Sequence, residues 1–229
     1  MQQPDSYPVL IPGVDALNHA RAQPVSWVVN NPPSTTDDSR GSISLVTHNA
    51  LKAGAEIFNN YGAKPNSELL LGYGFTLLDN PDDTIVLKIG GTGTGTGRDT
   101  TAPQQQHEVG RGARGATSVW GAIVNAMISK EQEGEEEVPV WRVILDSADM
   151  LRSMTKSLLS RLPSAVPEHG TLREDVMDMI GHYVSGQREV LQDLSQYGND
   201  READGVVMAR REGVVIQLEG DGDDHVDQG

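Results

Sequence analysis

Polar and apolar residues alternate along Ser42-Ile43-Ser44-Leu45-Val46, the period of a half-buried strand. Val9-Leu10-Ile11 is a short apolar run closed by Pro12-Gly13 and reads as the end of a strand. Asn49 to Gly54 is a turn, Ala55-Glu56-Ile57-Phe58 a second strand, and Thr84-Ile85-Val86-Leu87-Lys88-Ile89 a third. Between the last two, Asn66-Ser67-Glu68-Leu69-Leu70-Leu71 predicts a short helix with Asn66 or Ser67 as its N-cap. A Gly-Thr repeat then runs from Gly90 to Gly97, and low complexity continues to about Ala116, a stretch that reads as a flexible linker. Beyond it the period becomes helical. Val119, Ile123, Ala126 and Met127 share one face, and Met150, Leu151, Met154, Leu158 and Leu162 share another that Pro163 stops. Glu131 to Glu137 is an acidic loop between them. Thr171-Leu172-Arg173-Glu174 fits a capping box opening a helix through Leu172, Val176, Ile180, Tyr183, Val190 and Leu194, with Gly198-Asn199 as its end. Val206-Val207-Met208 and Val214-Val215-Ile216 are expected to pair as a hairpin, and the Gly- and Asp-rich last ten residues to be disordered. The pattern therefore predicts an α+β chain: a β-rich part over 1–89, a Gly-rich linker over 90–117, and a helical part over 118–229 with an acidic tail.

Charge changes this picture more than overall composition does. A net charge of −15 argues against nucleic-acid binding by phosphate neutralisation and favours basic partners, including Lys-rich proteins. With no cysteine there is no disulfide, thiolate zinc site or cysteine nucleophile. The histidines show no metal-ligand spacing, so no metal is expected. Met1-Gln2-Gln3-Pro4-Asp5 lacks the charge and apolar run of a signal peptide, and no stretch approaches the roughly 20 apolar residues of a membrane span. The expectation is an intracellular protein, in nucleus or cytoplasm. Gly110-Arg111-Gly112-Ala113-Arg114-Gly115 matches a dinucleotide-binding pattern, but the polar Gln104-Gln105-Gln106-His107 before it does not read as the strand such a loop needs, so the match is assigned to linker composition.

Three segments in order carry candidate chemistry. Asp15-Ala16-Leu17-Asn18-His19 follows an apolar run. Gly54-Ala55-Glu56-Ile57-Phe58-Asn59-Asn60-Tyr61-Gly62 is a glycine turn and apolar strand ending on Tyr-Gly. Lys64-Pro65-Asn66-Ser67-Glu68-Leu69-Leu70-Leu71-Gly72-Tyr73-Gly74-Phe75 and Asn80-Pro81-Asp82-Asp83 come next. Singly, each has a plain structural reading: a capped turn, a core phenol, core aromatics. Together, in order, they resemble the second half of a SET domain, in the subgroup typified by the Rubisco large-subunit methyltransferases. The helix from Arg173 to Leu194 is similar to the helical substrate-binding domain that follows SET in that subgroup.

The resemblance implies a protein-lysine N-methyltransferase that uses S-adenosylmethionine and acts on a Lys-containing protein. That reaction needs a neutral amine, although the free lysine pKa is about 10.4, and in-line attack in a narrow, dry channel. It also implies roles. Tyr61 is the catalytic tyrosine, and Asn18 and His19 contact the donor. Phe75 packs near the donor's adenine, Tyr73 lines the lysine channel, and Trp27 is the aromatic residue on the substrate side. The two motif segments are expected to meet through the threaded connection of that fold, a departure from ordinary topology. The family's early Gly-x-Gly segment does not occur in these residues. The chain is therefore expected to be N-terminally incomplete, which leaves its own activity open. The alternatives are a non-catalytic SET remnant acting as a protein-interaction module and a fragment completed in trans.

Overall fold

In a computed structural model the described residues are 10–13, 15–30, 41–89, 105–131, 138–164, 170 and 172–216. Val9, the Gly90–Gly97 repeat, most of the acidic stretch, Thr171 and the terminal tail lie outside them. The chain forms two compact units, Met1–Lys64 and Pro65–Gly229.

The first unit is built on one antiparallel hairpin, β1 (Val25–Asn30) and β2 (Ser42–Thr47), in the register Val25 to Thr47, Trp27 to Leu45 and Val29 to Ile43. Residues facing each other in an antiparallel pair lie on one side of the sheet. One side thus collects Val25, Trp27, Val29, Ile43 and Leu45, and the other is mostly serine and asparagine. The ladder is extended by the His48 N–H, which donates to the Pro24 carbonyl at 2.9 Å. The alternation at 42–46 forms its strand as expected, whereas Leu10, Ile11 and residues 55–58 have no strand structure. For 55–58 the backbone comes alongside an earlier segment only at Asn59, which makes a single parallel bridge to His19. Among the described residues of this unit none is buried.

The second unit holds the core. In chain order it comprises α1 (Asn66–Tyr73), β3 (Thr84–Ile89) paired antiparallel with β4 (Gln105–Gly110), a short 3₁₀ turn (Arg111–Ala113), then α2 (Ala116–Glu131), α3 (Val140–Arg161) and α4 (Glu174–Arg211). Ile85, Leu87 and Ile89 of β3 and Val109 of β4 pack on Ala116, Val119 and Ile123 of α2, Leu151 of α3, and Val190, Leu191 and Leu194 of α4. Of the stripes expected on these helices, Val119, Ile123, Leu151, Val190 and Leu194 are buried, Met127, Met154, Leu158 and Leu162 are half-buried, and Ala126, Met150 and Leu172 are exposed.

Four expectations need correction here. Residues 105–110, read as linker, form β4. Their inward positions are His107 and Val109, and His107 is made tolerable there by a 2.8 Å hydrogen bond between its Nδ1 and the Ser118 hydroxyl. A buried histidine, bonded through Nδ1 while its Nε2 is buried with no hydrogen-bond partner among the described residues, hides the alternation from a hydropathy reading. Next, α4 does not end at Gly198-Asn199. Gly198 is buried in the helix, and a Cβ there would lie 3.2 Å from Arg152 Cγ, so this glycine sets the approach of α3. Val206 to Met208 continue α4, with Val206 and Ala209 buried, so they pair with nothing in a hairpin. The chain leaves α4 through Gly213 at φ 80°, the left-handed turn at which a helix commonly stops. Finally, neither Asn66 nor Ser67 is the N-cap of α1; that position is Pro65, with no side-chain cap of its own.

The start of α1 is capped from a distance. The Asn66 N–H donates to Asp83 Oδ1 at 2.7 Å, and Asn66 Nδ2 donates to Asp83 Oδ2 at 3.1 Å and to the Leu77 carbonyl at 3.0 Å. Asn66 Oδ1 in turn accepts from the Leu77 N–H at 2.8 Å. Asn66, Asn80 and Asp83 are all essentially fully buried. Burial pushes the Asp83 carboxyl upward, while the bonds from Asn66 and the nearby Arg111 guanidinium pull it down. This network joins the Asn-Pro-Asp-Asp stretch to the first turn of α1, the two parts of the longest sequence motif.

Candidate functional site

Asn18, His19 and Tyr61 meet in the first unit. The Asn59 N–H donates to the Asn18 carbonyl at 2.8 Å, and the Asn59 carbonyl accepts from the Ala20 N–H at 2.9 Å, so Asn59 brackets His19. The chain then turns. Asn60 Oδ1 accepts from the Gly62 N–H at 2.9 Å, the Asn60 amide donates to the Gln23 carbonyl at 3.3 Å, and Gly62 sits at φ 98°, where glycine carries no steric cost. That turn aims Tyr61 back at the earlier segment. The Tyr61 N–H donates to His19 Nδ1 at 3.0 Å, and its hydroxyl donates to the Leu17 carbonyl at 2.6 Å. The two rings stack with centroids 5.1 Å apart and planes 28° from parallel. Asn18 is held from the other side, its amide donating to Glu56 Oε1 at 2.6 Å. His19 and Tyr61 are half-buried, and Asn18 and Glu56 are exposed.

The charge state of His19 follows from its surroundings. Burial, with Arg21 nearby, holds its pKa below the usual 6.5, so the ring is neutral at pH 7 and Nδ1 keeps the lone pair that accepts from Tyr61. Because the folded value is lower than the unfolded one, this contribution is fully present above pH 6.5 and is lost as pH falls through the folded pKa. Acidification is thus expected to break the His19–Tyr61 bond. In an NMR titration the His19 ring and the Tyr61 amide should move together with one midpoint below 6.5. Independent midpoints, or one above that value, would contradict the assignment.

The remaining expected site residues stand elsewhere in their own units. Trp27 lies on β1 opposite Leu45, 42% exposed, and shares no hydrogen bond with Asn18, His19 or Tyr61 among the described residues. Tyr73 closes α1 in the second unit, 48% exposed, and Gly74 at φ 76° turns the chain so that Phe75 lies 6.3 Å from it, ring to ring. Glu56 and the Leu17 carbonyl were not singled out from the sequence. No spacing rule announces a carboxylate that holds an asparagine 38 positions earlier. The segment was read as a strand ending on Tyr-Gly, so the Asn60–Gly62 turn that aims Tyr61 is a further feature of the structure.

The Gly110–Gly115 loop does follow a strand, contrary to expectation, but its donors and space are already taken. The Gly112 N–H donates to Asp193 Oδ2 at 2.6 Å, the Arg114 side chain fills the room beside Gly110, and a Cβ on Gly115 would come within 2.3 Å of the Glu108 carbonyl. These glycines serve close packing of the turn. No helix among the described residues is long and apolar enough to cross a membrane.

No family model matches the chain. Three curated proteins do resemble it. It is 45% identical over 85 residues to the ribosomal lysine N-methyltransferase set10 of Schizosaccharomyces pombe, and 40% identical over 86 residues to ribosomal lysine N-methyltransferase 1 of Saccharomyces cerevisiae. It is 32% identical over 90 residues to the human N-lysine methyltransferase SETD6. These matches take in 37–38% of this chain but only 14%, 13% and 17% of the relatives. Among solved structures, Rubisco LSMT bound to sinefungin and monomethyllysine superposes with a TM-score of 0.61 at 14% identity, over 88% of this chain and 53% of that one. Over part of its length the chain has homologues among lysine methyltransferases, and its α+β fold is a SET-like one that matches about half of Rubisco LSMT.

Proposed function

We propose that this chain carries the tyrosine side of a protein-lysine N-methyltransferase site, with S-adenosylmethionine as methyl donor. The observation that carries the reading is the convergence of Asn18, His19 and Tyr61, held by bonds from both the main chain and the side chain of Tyr61. The residues suit such a donor. An exposed amide beside two half-buried rings offers polar and aromatic contacts to a charged heteroaromatic molecule, and Asn18 and His19 would hold it. When bound, it supplies an electrophilic methyl group. Tyr61 orients the acceptor. Its O–H donates to the Leu17 carbonyl, and a phenol oxygen that donates can also accept, so it would hold a lysine N–H. A neutral amine fixed this way has its lone pair directed by a rigid group, and alignment of that kind can supply much of the rate. Phe75 would pack near the adenine, Tyr73 and Trp27 would flank the lysine stem, and α2 to α4 would present the substrate protein. A basic protein suits the net charge of −15. Nucleic acid is not a partner in this reading, and the protein acts inside the cell.

A second reading is a non-catalytic interaction protein. It is favoured by the uncovered apolar side of the hairpin, where Trp27 is 42%, Val29 62% and Ile43 38% exposed. Calorimetric titration with S-adenosylmethionine separates the two. Saturable heat, followed by tritium transfer to a ribosomal-protein mixture, is expected for the enzyme. A folded protein that gives neither would leave the interaction module.

A further inference from the structure

A groove of 630 Å³ runs between β3 and α3 in the second unit. Its walls include Val86 and Lys88 from the strand and Met150, Met154, Leu158 and Arg161 from one stripe of the helix. Leu87 also lines it, although its side chain is on the opposite face from Val86 and Lys88. A cavity that meets three consecutive strand residues reaches the strand's main chain, and among the described residues β3 has a neighbouring strand, β4, on one side only.

Among the described residues that edge has backbone groups with no partner strand. The Thr84 carbonyl accepts from Gln187 Nε2 at 3.0 Å, and the N–H of its cross-strand partner Gly110 is donated to the Arg114 carbonyl at 2.9 Å. Thr84 and Gly110 are therefore a non-hydrogen-bonded pair. The two-residue period of an antiparallel ladder turns the N–H and C=O of Val86 and Lys88 the same way, toward the groove. Among the described residues neither makes a backbone bond outside the strands. The side chains suit an added strand: Met150 and Met154 are adaptable apolar surface. Lys88 and Arg161 make no ion pair among the described residues, in a chain whose net charge is −15. The overall acidic charge opposes an acidic partner, but at short range the two cations flanking the apolar groove favour carboxylates over ammonium groups.

We propose that this groove takes an extended, acidic segment of a partner protein as a third strand beside β3, its apolar side chains on Met150, Met154 and Leu158 and its carboxylates at Lys88 and Arg161. The site lies away from Asn18, His19 and Tyr61 in the sequence and does not depend on methyl transfer. The test is fluorescence anisotropy of the whole chain with a labelled peptide alternating leucine with glutamate. Two control peptides are used, one with lysine for glutamate and one N-methylated on alternate amides. The glutamate peptide is expected to bind at least tenfold more tightly than either control. The double substitution Lys88→Glu with Arg161→Glu should reverse the preference toward the lysine peptide, which a folding defect does not produce. Equal binding of the glutamate and lysine peptides would overturn the proposal. So would undiminished binding of the N-methylated peptide, which would make the groove a site for free apolar molecules. A dimer in sedimentation that the double substitution dissociates would make the occupant a second copy and overturn it equally.

Discussion

Gly186→Ala is expected to cost the fold about 3 kcal/mol, although alanine is the better helix former. In an open helical position the exchange would gain up to about 1 kcal/mol. Here a Cβ would stand 2.0 Å from Asp83 Oδ2 and 2.8 Å from its Cγ. Asp83 has nowhere to go, because both carboxylate oxygens hold Asn66, one through its backbone and one through its amide. Either α4 backs away from β3, opening the core around Val190 and Leu191, or the carboxylate swings and leaves buried donors on Asn66 unpaired. Overpacking of this kind costs roughly 1–3 kcal/mol, and an orphaned buried donor roughly 1–3 more. A loss of 3 kcal/mol lowers the melting temperature of a chain this size by about 6–12 °C. Gly121→Ala is the control: it lies in α2 with nothing within 4 Å of its Cβ, and its melting temperature should rise slightly. If both substitutions stabilise, the Asp83–Gly186 contact is not what fixes α4 against the sheet.

The same glycines show where the sequence was legible and where it was not. Helical stripes such as Val119–Ile123 and Val190–Leu194 could be read because burial repeats with the helix period. Gly198 looks like a terminator in sequence because a helix end and a tight helix crossing call for the same residue. Only the neighbour decides, and here it is Arg152 on α3. His107 hid β4 for a related reason: a polar residue fits an inward position once Ser118 meets it, and that partner is not visible in the local pattern. The site divides along the same line. The order of Asn18-His19 and Tyr61-Gly62 was readable, but the turn at Asn60–Gly62 was hidden in what looked like the end of a strand. The bond from Tyr61 to the Leu17 carbonyl and the hold of Glu56 on Asn18 arise only when two distant segments are laid side by side. Residues 55–58 have strand composition but meet a neighbour only at Asn59, so no ladder forms.

On the proposed function, Tyr61→Phe should slow methyl transfer by about 100-fold or more, a barrier increase of roughly 2.7 kcal/mol, while leaving donor affinity within about threefold. The separation follows from how the residue is held. Phenylalanine keeps the backbone N–H that donates to His19 Nδ1, and it keeps the ring that stacks 5.1 Å from the imidazole. The contacts proposed to hold the donor therefore survive. What is lost is one oxygen: its O–H no longer meets the Leu17 carbonyl, and in the proposed role its lone pairs no longer fix the acceptor amine. The 2.6 Å bond to Leu17 is part-buried, so some local stability goes with it, of the order of 1 kcal/mol. A thermal melt beside the kinetic assay separates that loss from the chemical one. Turnover measured by tritium transfer, with donor affinity measured by calorimetry, gives the two quantities independently. Equal turnover for both proteins would remove Tyr61 from the mechanism. A parallel collapse of donor affinity and turnover would make the hydroxyl an anchor for the Leu17–His19 segment rather than a guide for the amine, since a group that acts only on the acceptor cannot change how tightly the free donor binds.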